Sequence, residues 1–312
     1  MKGYKRMKIK DVFDKFREYL KSENVSQRTI RSYLNNVDIF SRYLREKSIE
    51  NLDDISRDVI DQYQIDMSTK NIYTKQYLSL KTQMCRLCAL IKFFKFLYGK
   101  AIIEINPISH IKLPKVPKRQ ISNFLTYKEV LSILKAADTK DLLGIRDKAI
   151  LELLYSVGLR NEELRNLTIN DIDFNNQIIR IIGKGNKERI IPIGTVALDY
   201  IEEYLQKARP FLSKYPTDIL FLSKRGNKLC EDIPPYIARK YKAKTDITKY
   251  INAHTFRHSM ATHLLLRGMD IRSLQEILGH SSIETTQIYT HIDLKDLKKV
   301  YAKTHPREND LI

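Results

Sequence analysis

Cysteine is scarce in this sequence, with three residues in 312. Three thiols cannot form the even-numbered framework of a disulfide-stapled domain. Cys85 and Cys88 make a C-x-x-C, but no second pair completes a zinc site, and Cys230 is far away. Both lie in MCRLCALIKFFKFLY, an apolar helical pattern, so buried or half-buried core thiols are expected. Long apolar runs are also missing. No stretch approaches the roughly 20 residues that cross a bilayer. The opening MKGYKRMKIKD has no apolar core of the kind a signal peptide carries. There is no internal repeat and no low-complexity tract. A reducing, cytoplasmic setting without a membrane is expected.

What is present is positive charge. The formal net charge is +18. Residues 1–113 hold 22 Lys and Arg against 13 Asp and Glu; residues 114–312 hold 33 against 24. The excess is shared by both halves, so it is not a basic tail. An extended polyanion gripped along the whole chain, most simply nucleic acid, explains this. A lysine-rich surface with solvated faces is the plain alternative. The apolar fraction, 43%, is ordinary for a globular protein, and the length suits two domains.

Helical periodicity dominates residues 1–111. Val12, Phe13, Phe16, Tyr19 and Leu20 share one face, and Ile30, Tyr33, Leu34, Val37, Phe40 and Leu44 share another. Ser26, Ser56 and Ser79 stand where helix caps belong. The last helix turns Leu87, Leu90, Ile91, Phe94 and Leu97 inward. Four amphipathic helices with short connections predict a small bundle. Residues 112–123, KLPKVPKRQISN, read as a basic, proline-stiffened linker. Residues 124–312 predict a second, mixed domain. Thr126 and Glu129 form a capping box, and 144–155 is a very apolar helix. IDF, QIIRII and ERIIPI change to strand character and predict a small antiparallel sheet, with Lys184 at a hairpin tip. Helices return at 197–207 and 235–244, and DLKDLKKVYAKTH is a short amphipathic helix near the end.

The stretch 254–289 predicts three capped helices. Gly268 closes the first, Asp270 caps the second, Gly279 closes it, and Ser281–Glu284 caps the third. Together with two residues upstream it supplies Arg160, Lys184, His254, Arg257, His280 and Tyr289. All but the tyrosine are bases or cations, and none is a carboxylate. Paired-carboxylate hydrolysis and two-metal nuclease chemistry are therefore disfavoured. Two arginines suit the non-bridging oxygens of a phosphodiester. A tyrosine nucleophile needs help, because holding the phenolate at neutral pH costs roughly 4 kcal/mol; cations and a histidine supply that help. Lys184 could protonate a leaving oxygen. Each residue also has a plain reading. Tyr289 is one of eighteen tyrosines, Arg160 suits a surface, and His254 with His258 has a zinc spacing without the metalloprotease glutamate. Gly183-Lys184-Gly185 lacks the P-loop pattern, and DNA binding without catalysis suits the helices of 254–289.

Taken in order, Arg160 in GLRNEEL, Lys184 in IGKGNKERIIPIG, His254 and Arg257 in HTFRHSMATHLL, His280 in LGH and Tyr289 in TTQIYTH closely resemble the tyrosine recombinases, or phage integrase family, nearest to the Xer branch. The resemblance spans nearly the whole chain. It departs at Phe256 and Met260, where that branch often has Leu and Phe. It implies an N-terminal SAM-like core-binding bundle joined to a mixed α/β catalytic domain, clamping double-stranded DNA at partly palindromic sites. Tyr289 would attack the scissile phosphate, forming a 3′-phosphotyrosyl link. Arg160 and Arg257 would hold the non-bridging oxygens, His254 would assist proton transfer, His280 would bond the phosphate and Lys184 would protonate the 5′-oxygen. No cofactor and no metal is implied. Four protomers, alike or of two recombinases, would exchange strands through a Holliday junction on the nucleoid, and residues 294–304 would dock on a neighbour. A DNA translocase or accessory protein is a possible partner. Integration of a mobile element, type IB topoisomerase relaxation and a silent DNA-binding regulator are the alternatives.

Overall fold

A computed structural model of the chain describes residues 9–69, 77–114, 124–183, 187–279 and 294–308. The chain divides into two compact units, Met1–Arg119 and Gln120–Ile312, and each is taken by itself.

The first unit holds α1 (Ile9–Ser22), α2 (Gln27–Glu46), α3 (Arg57–Ser68) and α4 (Leu80–Gly99). Three serines start three of them. Ser26, Ser56 and Ser79 accept from the backbone N–H of Thr29, Val59 and Thr82, filling donors a helix start leaves open. The apolar stripes meet in one core. Val12, Phe16, Leu20, Val37, Phe40, Ile60, Leu90 and Phe94 have no exposed surface. Phe13, Tyr19, Tyr33, Leu34, Val59 and Ile91 pack at its edge, half-buried. Aromatic rings set the core's geometry: Phe16 lies edge-on to Phe93 with centroids 5.1 Å apart, and Phe40 edge-on to Tyr63 at 4.9 Å.

The expected core thiols need correction. Cys88 is half-buried, but Cys85 and Cys230 are exposed. At 100° per residue, Cys85 stands roughly 200° before buried Leu87, on the far side of α4.

The second unit packs helices around a small sheet. Its elements are α5 (Tyr127–Ala136), α6 (Leu142–Val157), α7 (Asn161–Asn166), β1 (Ile172–Asp173), β2 (Ile178–Ile182), β3 (Glu188–Pro192), α8 (Thr195–Lys207), α9 (Arg209–Leu212), α10 (Ile233–Lys242), α11 (Ala253–Leu266), α12 (Ile271–Leu278) and α13 (Leu294–Thr304). The sheet is antiparallel in the order β1-β2-β3, with Ile179 opposite both Ile172 and Ile191. Period-two alternation buries Ile179 and Ile181 and turns Arg180 and Ile182 outward. Gly183 N–H donates to the Lys187 carbonyl at 2.8 Å and closes the base of the β2–β3 hairpin. The Thr126–Glu129 capping box is formed in both directions. Residues 145–157 of α6 are all buried, so this helix is the axis of the unit. Phe256 and Met260, the two departures from the Xer pattern, are fully buried on α11.

The chain end is fastened to α6 and α8. Leu297, Tyr301 and His305 are buried. Tyr301 Oη bonds Ser156 Oγ at 2.8 Å, the Arg307 guanidinium forks onto Glu152, and Glu308 accepts from Thr195 N–H at the start of α8. Each buried side chain of this size contributes about 1.5–3 kcal/mol. The segment assigned by resemblance to a neighbour is thus seated, in the single chain, on its own unit.

Candidate active site

The site begins where α6 stops. Gly158 caps α6 in the left-handed conformation, with φ +66°. The left-handed turn is what calls for glycine there, since a Cβ would meet only the flexible end of Met260 closely, Cε at 2.2 Å. The turn delivers Arg160 to the start of α7. On the other side, Asn252 caps α11 by accepting from Thr255 N–H at 3.1 Å. That cap puts His254 in the first turn and Arg257 three residues on, on the same face.

Arg257 is buried, 6% exposed. It donates to the Gly158 carbonyl at 2.6 Å and to the Leu278 carbonyl at 2.5 Å. Burial, then the charge of Arg160, pulls its pKa down to about 10, so it remains a cation at neutral pH. Arg160 donates to Glu163 Oε1 at 2.7 Å and to the Gly279 carbonyl at 3.1 Å, and keeps a third of its side chain open. His254 is exposed at the surface. Even so, crowding by protein atoms and the charges of Arg257 and Arg160 lower its pKa, which favours the neutral imidazole. The helix N-terminus acts in the same direction.

Two residues of this cluster escaped the reading of the sequence. Glu163, on α7, is buried and accepts from Arg160 N–H at 2.8 Å as well as from its side chain. Arg189, on β3, forks onto the same carboxylate at 3.0 and 2.9 Å. Burial acts to raise the Glu163 pKa, but the bonds and charges of Arg189 and Arg160 outweigh it and hold it at about 2. A carboxylate three residues after Arg160 was a readable signal; Arg189 looked like any strand residue. Three guanidiniums against one carboxylate leave the cluster a net charge of two, before His254. An anion such as a phosphodiester fits that excess.

The same three arginines close α12. Arg189 Nε donates to the Ile277 carbonyl at 3.1 Å, Arg257 takes Leu278, and Arg160 takes Gly279. Consecutive carbonyls that a helix end leaves open are each filled by a different cation. Gly279 follows in the left-handed conformation, φ +60°. Asp270 accepts from Ser273 N–H at the other end of α12. His258, the partner in the zinc spacing, stands edge-on to Phe124. Lys184, His280, Tyr289 and the cap at 281–284 lie outside the described residues.

Residues 123–295 match the phage integrase family, and residues 13–100 match the N-terminal SAM-like domain of phage integrases. A tyrosine recombinase XerC of Pelotomaculum thermopropionicum is 40% identical over 305 residues, covering 94% of this chain and 97% of that one. The chain belongs to the phage integrase family. It is a tyrosine recombinase of the Xer branch, a DNA strand transferase with that family's two-part fold. Among solved structures, XerH recombinase bound to its difH substrate shares the fold at TM-score 0.67, with 20% identity, covering 96% of this chain and 83% of that one. A lambda integrase tetramer bound to a Holliday junction also has TM-score 0.67 at 20% identity, covering 91% and 80%. In this family member, Arg160, His254 and Arg257 come together from α7 and α11, 94 residues apart at the nearest.

Proposed function

We propose that this tyrosine recombinase resolves chromosome or plasmid dimers by cutting and rejoining DNA through Tyr289. The observation that carries the reading is the convergence of Arg160, Arg257 and neutral His254 around one excess of positive charge. The tyrosine hydroxyl attacks the scissile phosphorus and the 5′-oxygen leaves, so a 3′-phosphotyrosyl link replaces the phosphodiester bond. Arg160 and Arg257 hold the two non-bridging oxygens, whose charge grows in the transition state. His254, neutral at working pH, takes the phenolic proton. His280 donates to the phosphate and Lys184 protonates the departing 5′-oxygen. The bond energy stays in the link, so the reverse step needs only a new 5′-hydroxyl.

The chain works as four protomers, of this chain alone or with a second recombinase, on two duplexes with partly palindromic sites in the cytoplasm, at the nucleoid. Relatives named XerC and the DNA-bound fold relatives support this reading. Both domains, 1–111 and 124–312, and the basic linker 112–123 contact the DNA, a reading that the positive charge shared by both halves supports. In that assembly residues 294–304 would leave the seat they occupy on their own unit and dock on a neighbour, which couples the active sites.

A nicked suicide duplex traps the link. Wild-type protein is expected to accumulate a covalent adduct that Tyr289→Phe loses while DNA binding survives. An adduct that persists in Tyr289→Phe refutes the nucleophile. Supercoiled plasmid with two target sites separates strand exchange from relaxation, and relaxation without recombinants sinks the recombinase role.

A further inference from the structure

Arg189 occupies a junction that the proposed chemistry does not use. It is 12% exposed, and both its η nitrogens are spent on Glu163, so it faces protein and not the opening. Its contacts lead to three separate parts of the site. Through Glu163 it reaches Arg160, because the carboxylate that receives Arg189 also receives the Arg160 backbone and guanidinium. Gly183, at the hairpin base, lies beside the ion pair: a methyl group placed on it would come to ordinary contact with Arg189 Nη1 and Glu163 Oε1, each at 3.6 Å. One placed on Gly279 would meet Arg189 Cδ at 3.0 Å and Nη1 at 3.1 Å. Gly183 immediately precedes Lys184, and Gly279 immediately precedes His280. Arg189 Nε also fills the Ile277 carbonyl at the end of α12.

We infer that Arg189 is a positioning residue for strand transfer. It holds Arg160 through Glu163, and holds the end of α12 through the Ile277 carbonyl. It touches no reacting atom. Lysine could neutralise Glu163 but could not fork onto it and reach Ile277 together. The inference rests on the recombinase reading, since it assigns Arg189 to the site that reading defines.

The test is single-turnover cleavage of a suicide duplex by the full chain, measured beside DNA affinity and across pH. Arg189→Met is expected to cleave about tenfold to a hundredfold more slowly, the scale of a small misplacement of catalytic groups. Its affinity for the uncleaved duplex stays within about twofold, because the lost cation contacts no phosphate. The pH profile also changes. Glu163 is faced by Arg160 on α7, Arg189 on β3, and Arg257 and His254 on α11. Removing Arg189 takes away the strongest interactions holding the carboxyl down, so burial shifts it upward against the two Arg160 bonds that remain, and once protonated it cannot accept from both the Arg160 backbone and guanidinium. Cleavage by Arg189→Met therefore falls with one more proton than wild type on the acid side of its profile. Arg189→Lys keeps the charge, recovers part of the rate and keeps the wild-type proton dependence.

Cleavage by Arg189→Met within about twofold of wild type overturns the inference. So does an equal loss at every pH, or a matching loss of DNA affinity. Should Arg189→Met not fold, Arg189→Lys decides: it must cleave at least about threefold more slowly with DNA affinity intact, and a wild-type rate overturns the inference. Wild-type protein with no Tyr289-dependent adduct sinks the recombinase reading itself. An adduct in wild type, matched by Arg189→Met, sinks this inference alone.

Discussion

The two units are built by different means. In the N-terminal unit, Ser41 is the sole buried polar residue among those described; its core is otherwise aliphatic and aromatic. The C-terminal unit buries Arg146, Asp147, Lys148, Glu152, Glu163 and Arg257 among others. Its charges are answered in pairs and forks: Arg146 on Asp147, Lys148 and Arg307 on Glu152, and Arg160 and Arg189 on Glu163. The first unit draws its stability from area, which is graded and non-directional. The second has directional interactions that fail when one partner is removed. A bundle that only has to present a surface can be held by packing. A cluster that gathers three arginines needs fixed charges, and fixed charges need partners out of water.

Four changes put pressure on that contrast. The largest effect is expected from Glu163→Ala, which leaves half-buried Arg189 without its carboxylate partner. It should destabilise the C-terminal unit by about 3–5 kcal/mol and cut cleavage with it. Hydrogen exchange resolved by peptide reads the loss in 124–308; protection kept there would show that the ion pairs are ornaments. Next is Leu90→Ala in the N-terminal core, expected to cost about 2–5 kcal/mol through the cavity it leaves. That loss should be the same at pH 5 and pH 8 (values of about these sizes suffice), because no titrating group is involved. Urea midpoints at the two pH values check it.

Acid titration comes third. Glu163 is lowered in the folded state to about 2, so its stabilisation is full above the ordinary carboxyl range of about 4.3 and is lost as pH falls toward about 2. Up to about 3 kcal/mol should leave the C-terminal unit in that window. In the N-terminal unit, the lowered carboxyl of Glu23 is exposed, so that unit should respond less. Peptide-resolved exchange along an acid series compares them, and equal slopes would erase the distinction. The smallest effect is Cys85→Ser, below about 0.5 kcal/mol because the thiol is exposed. A larger drop in melting temperature would return Cys85 to the core.

Much of this was legible in the residues. Ser26, Ser56, Ser79, Thr126, Asn252 and Asp270 cap helices because a short side-chain oxygen meets open N–H groups locally. Of these, only Asn252 was not anticipated. The stripes of α1, α2 and α4 are buried as their period requires. Of the two cysteines of α4, Cys88 is half-buried as expected and Cys85 was misread because an apolar context was taken for an apolar face. Arg160, His254 and Arg257 could be named from order and spacing, yet the groups that hold them could not. Arg189 is 26 residues from Glu163 and 88 from Ile277, and no local pattern connects them.

The sequence by itself determined where the helices start and stop, which faces are apolar, and which cations are available for a phosphate. Those properties depend on neighbours within one turn or one pleat, and the order of residues states them directly. The tertiary structure decided the rest: that Glu163 is buried and ionised, that three arginines divide three successive carbonyls of α12, and that the chain end is fastened to α6. A buried charge is tolerable only beside its partner, and partners 26 to 155 residues apart meet only when the fold closes.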